Sequence, residues 1–134
     1  MSLPLQILER YWKHTVFRPY QQEIIETVLN HQDCIALLPT GGGKSICFQI
    51  PALINEGICV VISPLIALMQ DQVQTLTDKG IKAIALTNLD HSKDLERILD
   101  NCTYGDYKLS SSIPALRRSV RIPASTSGFC ESNR

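Results

Sequence analysis

Nowhere in the 134 residues does an apolar run approach the ~20 residues that a membrane-crossing helix needs. The opening residues, Met1-Ser2-Leu3-Pro4-Leu5-Gln6, have no basic region followed by an apolar core, so they do not read as a secretory signal. Net charge is missing too: 13 Lys plus Arg balance 13 Asp plus Glu. A chain without excess positive charge has no general electrostatic pull on a polyanion. Cysteine is present but without pattern. Cys34, Cys47, Cys59, Cys102 and Cys130 are odd in number, and no two form a C-x-x-C pair. That excludes a disulfide framework and argues against a metal cluster; it fits reduced, mostly buried thiols in an intracellular, cytoplasmic protein. The length suits one ordinary domain and is short for two.

The zero balance hides an asymmetry. Residues 1–108 carry nine Lys plus Arg against twelve acids, whereas residues 109–134 carry Arg117, Arg118, Arg121 and Arg134 against Glu131 alone. The tail also holds seven serines and two prolines and shows no apolar period. It is expected to be disordered or loosely attached. Its basic run, Arg117-Arg118-Ser119-Val120-Arg121, reads as a solvated charged coil before it reads as a nucleic-acid contact.

Before residue 108 the chain alternates. Leu5, Leu8 and Trp12 recur at helical spacing over about residues 4–12, and Ile24, Ile25, Val28 and Leu29 form a stripe over 21–30. Residues 34–38 are apolar and short enough for a buried parallel strand. A helix then starts at Lys44, and Pro51 predicts a bend in it with a stop at Gly57. Residues 58–62 read as a second strand, 65–79 as a helix closed by Gly80, and 83–86 as a third strand. Residues 90–102 read as another helix, with Leu95, Ile98, Leu99 and Cys102 inward. Strands alternating with helices predict an α/β fold, a parallel sheet flanked by helices.

One stretch carries the chemistry: Ala36-Leu37-Leu38-Pro39-Thr40-Gly41-Gly42-Gly43-Lys44-Ser45. Strand, glycine turn, lysine, hydroxyl and helix is the layout of a phosphate-binding loop, although the pattern G-x-x-x-x-G-K-[ST] has Gly where this chain has Leu38. Glycines let backbone N–H groups curl around an anion without Cβ clashes. The helix start adds donors and partial positive charge. Lys44 reaches the β- and γ-phosphates, and the Ser45 hydroxyl is a ligand for Mg²⁺.

Three stretches together resemble the start of the RecQ-family DNA helicases of the second helicase superfamily. They are Phe17-Arg18-Pro19-Tyr20-Gln21, then residues 38–53, and then Val60-Val61-Ile62-Ser63-Pro64-Leu65-Ile66-Ala67-Leu68-Met69-Gln70-Asp71-Gln72-Val73. The resemblance covers about residues 3–108 and implies part of a RecA-like lobe, truncated after about three strands. It implies ATP and Mg²⁺ as cofactors and DNA, single-stranded or partly unwound, as partner. By that resemblance Gln21 hydrogen-bonds adenine and Arg18 lies against the ring or the nucleotide. From the residues alone, a helix start with a solvated Gln21 fits as well. Pro39, Thr40, Gly41, Gly42, Gly43, Lys44 and Ser45 hold the triphosphate, with Lys44 the catalytic residue and Ser45 on the metal. Ser63, Pro64 and Leu65, with the turn that follows, resemble the motif that touches the phosphates of single-stranded DNA, largely through backbone N–H groups and the helix start. Where the family has an aromatic before its Phe, this chain has Trp12-Lys13-His14, which leaves His14 for the base.

The resemblance also implies parts that are not here. The family's Asp-Glu-x-His box, which supplies an acidic metal ligand and positions the attacking water, is absent, as is the second lobe with its arginine finger. After Lys108 the family continues with a buried strand and a Ser-Pro-Glu turn; here Leu109-Ser110-Ser111-Ser112-Ile113-Pro114 follows. The expectation is an N-terminal helicase fragment, inactive alone. Its residues 109–134 would be a shifted reading frame or an equivalent truncation. Two alternatives stand beside it: a self-standing nucleotide- or DNA-binding module, and a non-functional truncated product.

Overall fold

A computed structural model describes residues 1–39, 43–63, 65–86, 97, 100, 107–112 and 129–131. They form two compact units, Met1–Glu56 and Gly57–Asn133.

The first unit is three helices around one core. α1 (Leu3–Trp12) carries a proline in its first turn, where a missing N–H costs no helical bond. It ends on Lys13, whose left-handed backbone returns its N–H to the Glu9 carbonyl. α2 spans Gln21–Leu29 and α3 spans Lys44–Ile54. Each contributes one fully buried aliphatic, Leu8, Ile25 and Ile50, and Leu5, Trp12, Phe17, Leu29 and Ile54 pack around them. Burying such a side chain contributes about 1.5–3 kcal/mol. Pro51 lies inside α3 and deprives the Cys47 carbonyl of its helical donor. The helix nevertheless continues to Ile54, where the Asn55 N–H closes it on the Pro51 carbonyl at 2.8 Å. The stop therefore comes before Gly57.

The strand expected over residues 34–38 does not form. The segment is irregular, with Ile35 95% and Leu37 93% exposed. A strand exists through its ladder, and among the described residues the first unit contains no other strand to pair with it. Apolar composition alone cannot supply that partner.

The second unit is a parallel sheet with helical cover. β1 (Cys59–Ile62), β2 (Ala83–Leu86), β3 (Leu109–Ser112) and β4 (Phe129–Glu131) lie in the order β2-β3-β1-β4, every pairing parallel. Parallel strands need a crossover connection, and α4 (Ile66–Asp78) supplies it from β1 to β2, on either side of β3. Met69 and Leu76 of α4 are buried, as are Cys59, Val61 and Ile62 of β1 and Leu86 of β2. The inner-face residues expected for a helix over 90–102 lie outside the described residues; Arg97 and Asp100 are helical and exposed.

Two pieces of the tail differ from the coil expected for residues 109–134. β3 sits between β2 and β1, with Val60 opposite Ser110 and Ile84 opposite Ser110 on the other side. Backbone pairing begins one residue earlier: Cys59 N–H donates to the Lys108 carbonyl and Lys108 N–H to the Lys82 carbonyl, both at 2.9 Å. Ladder bonds use main-chain groups, so a serine run forms them although its side chains give no apolar pattern. The described strands therefore number four. They include two of the three expected, 58–62 and 83–86, and exclude the third.

Candidate functional site

Gly43 is the hinge of the candidate site in the first unit. It is the residue before α3 and takes φ +77°, a conformation L side chains rarely adopt. A Cβ built there would fall onto Gln21 Nε2 and would lie 3.8 Å from Arg18 Cδ. The backbone approach thus requires a glycine on two counts. Lys44 and Ser45 are the first two residues of α3 and are half-buried. The first turn of a helix turns N–H groups outward with partial positive charge, the arrangement that favours a phosphate. Pro39 is exposed just ahead of the loop; Thr40, Gly41 and Gly42 lie outside the described residues.

Gln21 ties this loop to the turn before α2. It is only 2% exposed, so the solvated glutamine that the residues alone allowed is not what forms. Its Oε1 accepts the Arg18 backbone N–H at 2.9 Å, and its Nε2 donates to the Gly43 carbonyl at 3.0 Å. One partner donates and the other accepts, so the orientation of the amide is fixed by chemistry. The Gln21 N–H returns to the Arg18 carbonyl at 3.2 Å, closing the turn a second time. Phe17 anchors the turn from beneath by packing on the three-helix core. Arg18, within the turn, and His14, three residues before Phe17, are both exposed. Cys47 Sγ also approaches the Gly43 carbonyl, at 3.8 Å, one helical turn on.

The sequence named Arg18, Gln21, Gly43, Lys44 and Ser45 separately; it did not show that Gln21 holds the Gly43 carbonyl. A signal existed. Gln21 stands four residues before Ile25 on the stripe that faces the core, so an amide there has to find partners.

In the second unit, Ser63 directly follows β1 and is 3% exposed. Its hydroxyl accepts the Leu65 N–H at 3.3 Å. Leu65 is the residue before α4 and is 48% exposed. With its N–H already engaged, the donors left to face an anion at this helix start belong to the residues after it. Pro64 lies outside the described residues.

The donor set fits a triphosphate with a hard cation: a glycine-only backbone bend, a helix start, one ammonium and one hydroxyl. Among the described residues no group of three or more His, Cys, Asp or Glu gathers to hold a metal by itself. A cation at Ser45 would therefore take most of its oxygens from phosphate and water. No helix among the described residues is long and apolar enough to cross a membrane.

Comparison with known proteins bears on this geometry. The family model of DEAD/DEAH box helicases matches residues 18–126, which takes in the turn at Arg18, the glycine loop and both ends of the sheet's β3. The ATP-dependent DNA helicase RecQ of Synechocystis is 52% identical over 81 residues, covering 60% of this chain and 17% of that protein. The RecQ of Bacillus subtilis is 41% identical over 117 residues, 87% of this chain and 20% of its own length. The probable ATP-dependent DNA helicase RecS of the same organism is 42% identical over 97 residues, 72% of this chain and 20% of its own length. This chain thus spans about a fifth or less of the length of these relatives.

Proposed function

Because the chain belongs to the DEAD/DEAH box helicases and, within them, to the RecQ family, we propose that it is the nucleotide-binding N-terminal portion of an ATP-dependent DNA helicase. The α/β architecture corresponds to part of a RecA-like lobe. The observation that supports this reading is the bond from Gln21 Nε2 to the Gly43 carbonyl at 3.0 Å. It joins the adenine-recognition turn, residues 17–21, to the last glycine of the phosphate loop, so that base and phosphate sites belong to one unit.

In this reading Gly43 and the start of α3 receive the β- and γ-phosphates, with Pro39, Thr40, Gly41 and Gly42 forming the rest of the loop. Lys44 neutralises the charge that develops on the phosphates, and Ser45 places its hydroxyl on Mg²⁺. The bound metal would draw charge from the phosphate oxygens. Arg18 and Gln21 serve the adenosine. Residues 63–65 serve a strand of DNA at the phosphate level, which carries position and not sequence. A full cycle needs an acidic metal ligand and a positioned water as well. The chain has no Asp-Glu-x-His box, so binding without turnover is the activity proposed for the isolated chain, with unwinding, repair and recombination belonging to the whole machine.

Titration of the 134-residue chain with a fluorescent ATP analogue and Mg²⁺ tests this. Saturable binding is expected, weakened roughly tenfold or more in Lys44→Ala, the worth of one charge-assisted bond. Hydrolysis of ATP stimulated by single-stranded DNA, and lost in Lys44→Ala, would show the inactivity to be wrong. Absence of any binding would overturn the nucleotide reading itself.

A further inference from the structure

The polar side chains buried among the described residues are Gln21, Gln49 and Ser63. Gln21 uses both ends of its amide, and Ser63 uses its hydroxyl. Gln49 differs. It lies in the buried run Cys47–Ala52 of α3 and is 5% exposed, yet among the described residues nothing hydrogen-bonds its amide. An amide sealed from water in that state is costly. No side-chain nitrogen or oxygen among the described residues is both sealed and unbonded. The little exposure that Gln49 keeps therefore belongs to its amide head. The stem is packed, and the head opens to solvent.

The helix fixes where that head lies. Ser45 and Gln49 are four positions apart in α3, so they share one face, about 6 Å apart along the axis. Helical side chains lean toward the N-terminus and cover the turn before their own Cα. The Gln49 amide is thus carried back over the turn of Ser45, at the phosphate end of the helix. Packing gives no reason for an amide there. Ile46, Ile50 and Ile54 serve the three-helix core from their own stripe, and a leucine at 49 would fill the same space. A cation at Ser45 takes much of its coordination from water, and each such water needs an acceptor for its protons. A glutamine Oε1 is one. We propose that Gln49 is a positioning residue of the nucleotide site, its Oε1 accepting a hydrogen bond from a water on the Mg²⁺ assigned to Ser45. This rests on the nucleotide reading above. Gln49 then favours the magnesium complex of the nucleotide over the bare triphosphate.

Calorimetry on the 134-residue chain, Gln49→Leu and Gln49→Glu tests this, with ATP titrated once in Mg²⁺ and once in EDTA. The readout is the ratio of the two affinities. Leucine keeps the bulk and removes the acceptor. It is expected to melt no lower than the parent, to lose roughly fivefold in affinity with Mg²⁺, and to bind metal-free ATP unchanged. Glutamate has the same reach and is a stronger acceptor when ionised. It holds the metal's water more tightly and repels the bare triphosphate, so its ratio is expected to rise above the parent's. An unchanged ratio in Gln49→Leu overturns the inference. Equal losses with and without Mg²⁺, accompanied by a lower melting temperature, also overturn it and make Gln49 structural only. If the leucine variant does not fold, a ratio in Gln49→Glu at or below the parent's overturns it. A parent that binds ATP equally well in Mg²⁺ and in EDTA overturns it too, and leaves the phosphate loop standing. A parent that binds ATP in neither condition fails the phosphate-loop reading, and this inference falls with it.

Discussion

Gly43 and Gln21 are two halves of one contact, and each half can be tested from its own side. Adding a methyl at Gly43 forces φ +77° on an L residue, which costs about 1–2 kcal/mol. It also pushes Gln21 Nε2 off the Gly43 carbonyl, a hydrogen bond with a net worth of about 1 kcal/mol. Gly43→Ala should therefore destabilise the chain by about 2–3 kcal/mol in urea denaturation; a loss below ~0.5 kcal/mol would mean the loop is not held as described. Gln21→Glu probes the other half by charge. A protonated glutamic acid can still donate to the Gly43 carbonyl, but an ionised one sets a buried negative charge against a carbonyl oxygen. Burial and that oxygen both raise the folded-state pKa of the new carboxyl above its unfolded value of about 4.3. The folded form then binds more protons, so stability falls as pH rises. The variant should match the parent near pH 4 and fall progressively behind it toward pH 7. Equal pH profiles for the two proteins would show that the amide does not meet Gly43.

At the scale of elements, the three-helix core of the first unit is the part a sequence reader sees best. Leu5, Leu8 and Trp12, then Ile24, Ile25, Val28 and Leu29, repeat at helical spacing, and the helices that form follow those stripes within a residue or two. Ile50→Ala opens a cavity where Leu8, Ile25 and Ile50 meet, at 0–1% exposure. It should cost about 2–5 kcal/mol by denaturant melting, with the larger value if the neighbours cannot collapse. Residues 58–62 and 83–86 were equally legible, being apolar and closed by turn residues. Residues 34–38 looked the same and formed no strand, while the serines of β3 looked like coil and were paired on both edges. The difference is physical. A helix closes its hydrogen bonds within its own segment, so its pattern is local, whereas a strand is completed by another segment whose presence no local pattern records. The site divides in the same way. Lys44, Ser45 and the glycines were legible as a contiguous motif; the link from Gln21 to Gly43 spans 22 positions in the chain and only folding reveals it.

For the whole molecule the unpaired run at 34–38 matters more than any single contact. Ile35 and Leu37 are 95% and 93% exposed within five successive residues that carry neither charge nor proline. Such a segment is a template for pairing with other chains. Colloidal repulsion does little to prevent this, because the formal net charge is zero and the sequence pI is about 6.8. The chain should therefore precipitate readily near neutral pH. Replacing both residues, Ile35→Glu with Leu37→Glu, attacks both causes by breaking the apolar run and making the net charge −2. Exposed side chains contribute little to folding, so substitutions there normally stay within about 0.5 kcal/mol. The double variant should remain soluble at several times the parent's concentration and melt at nearly the same temperature. ATP affinity should be retained, because neither residue belongs to the proposed nucleotide site. A stability loss above ~2 kcal/mol would mean that these residues are buried in solution. In that case the run completes a sheet after all, and the exposed state described for it is not the one the protein occupies.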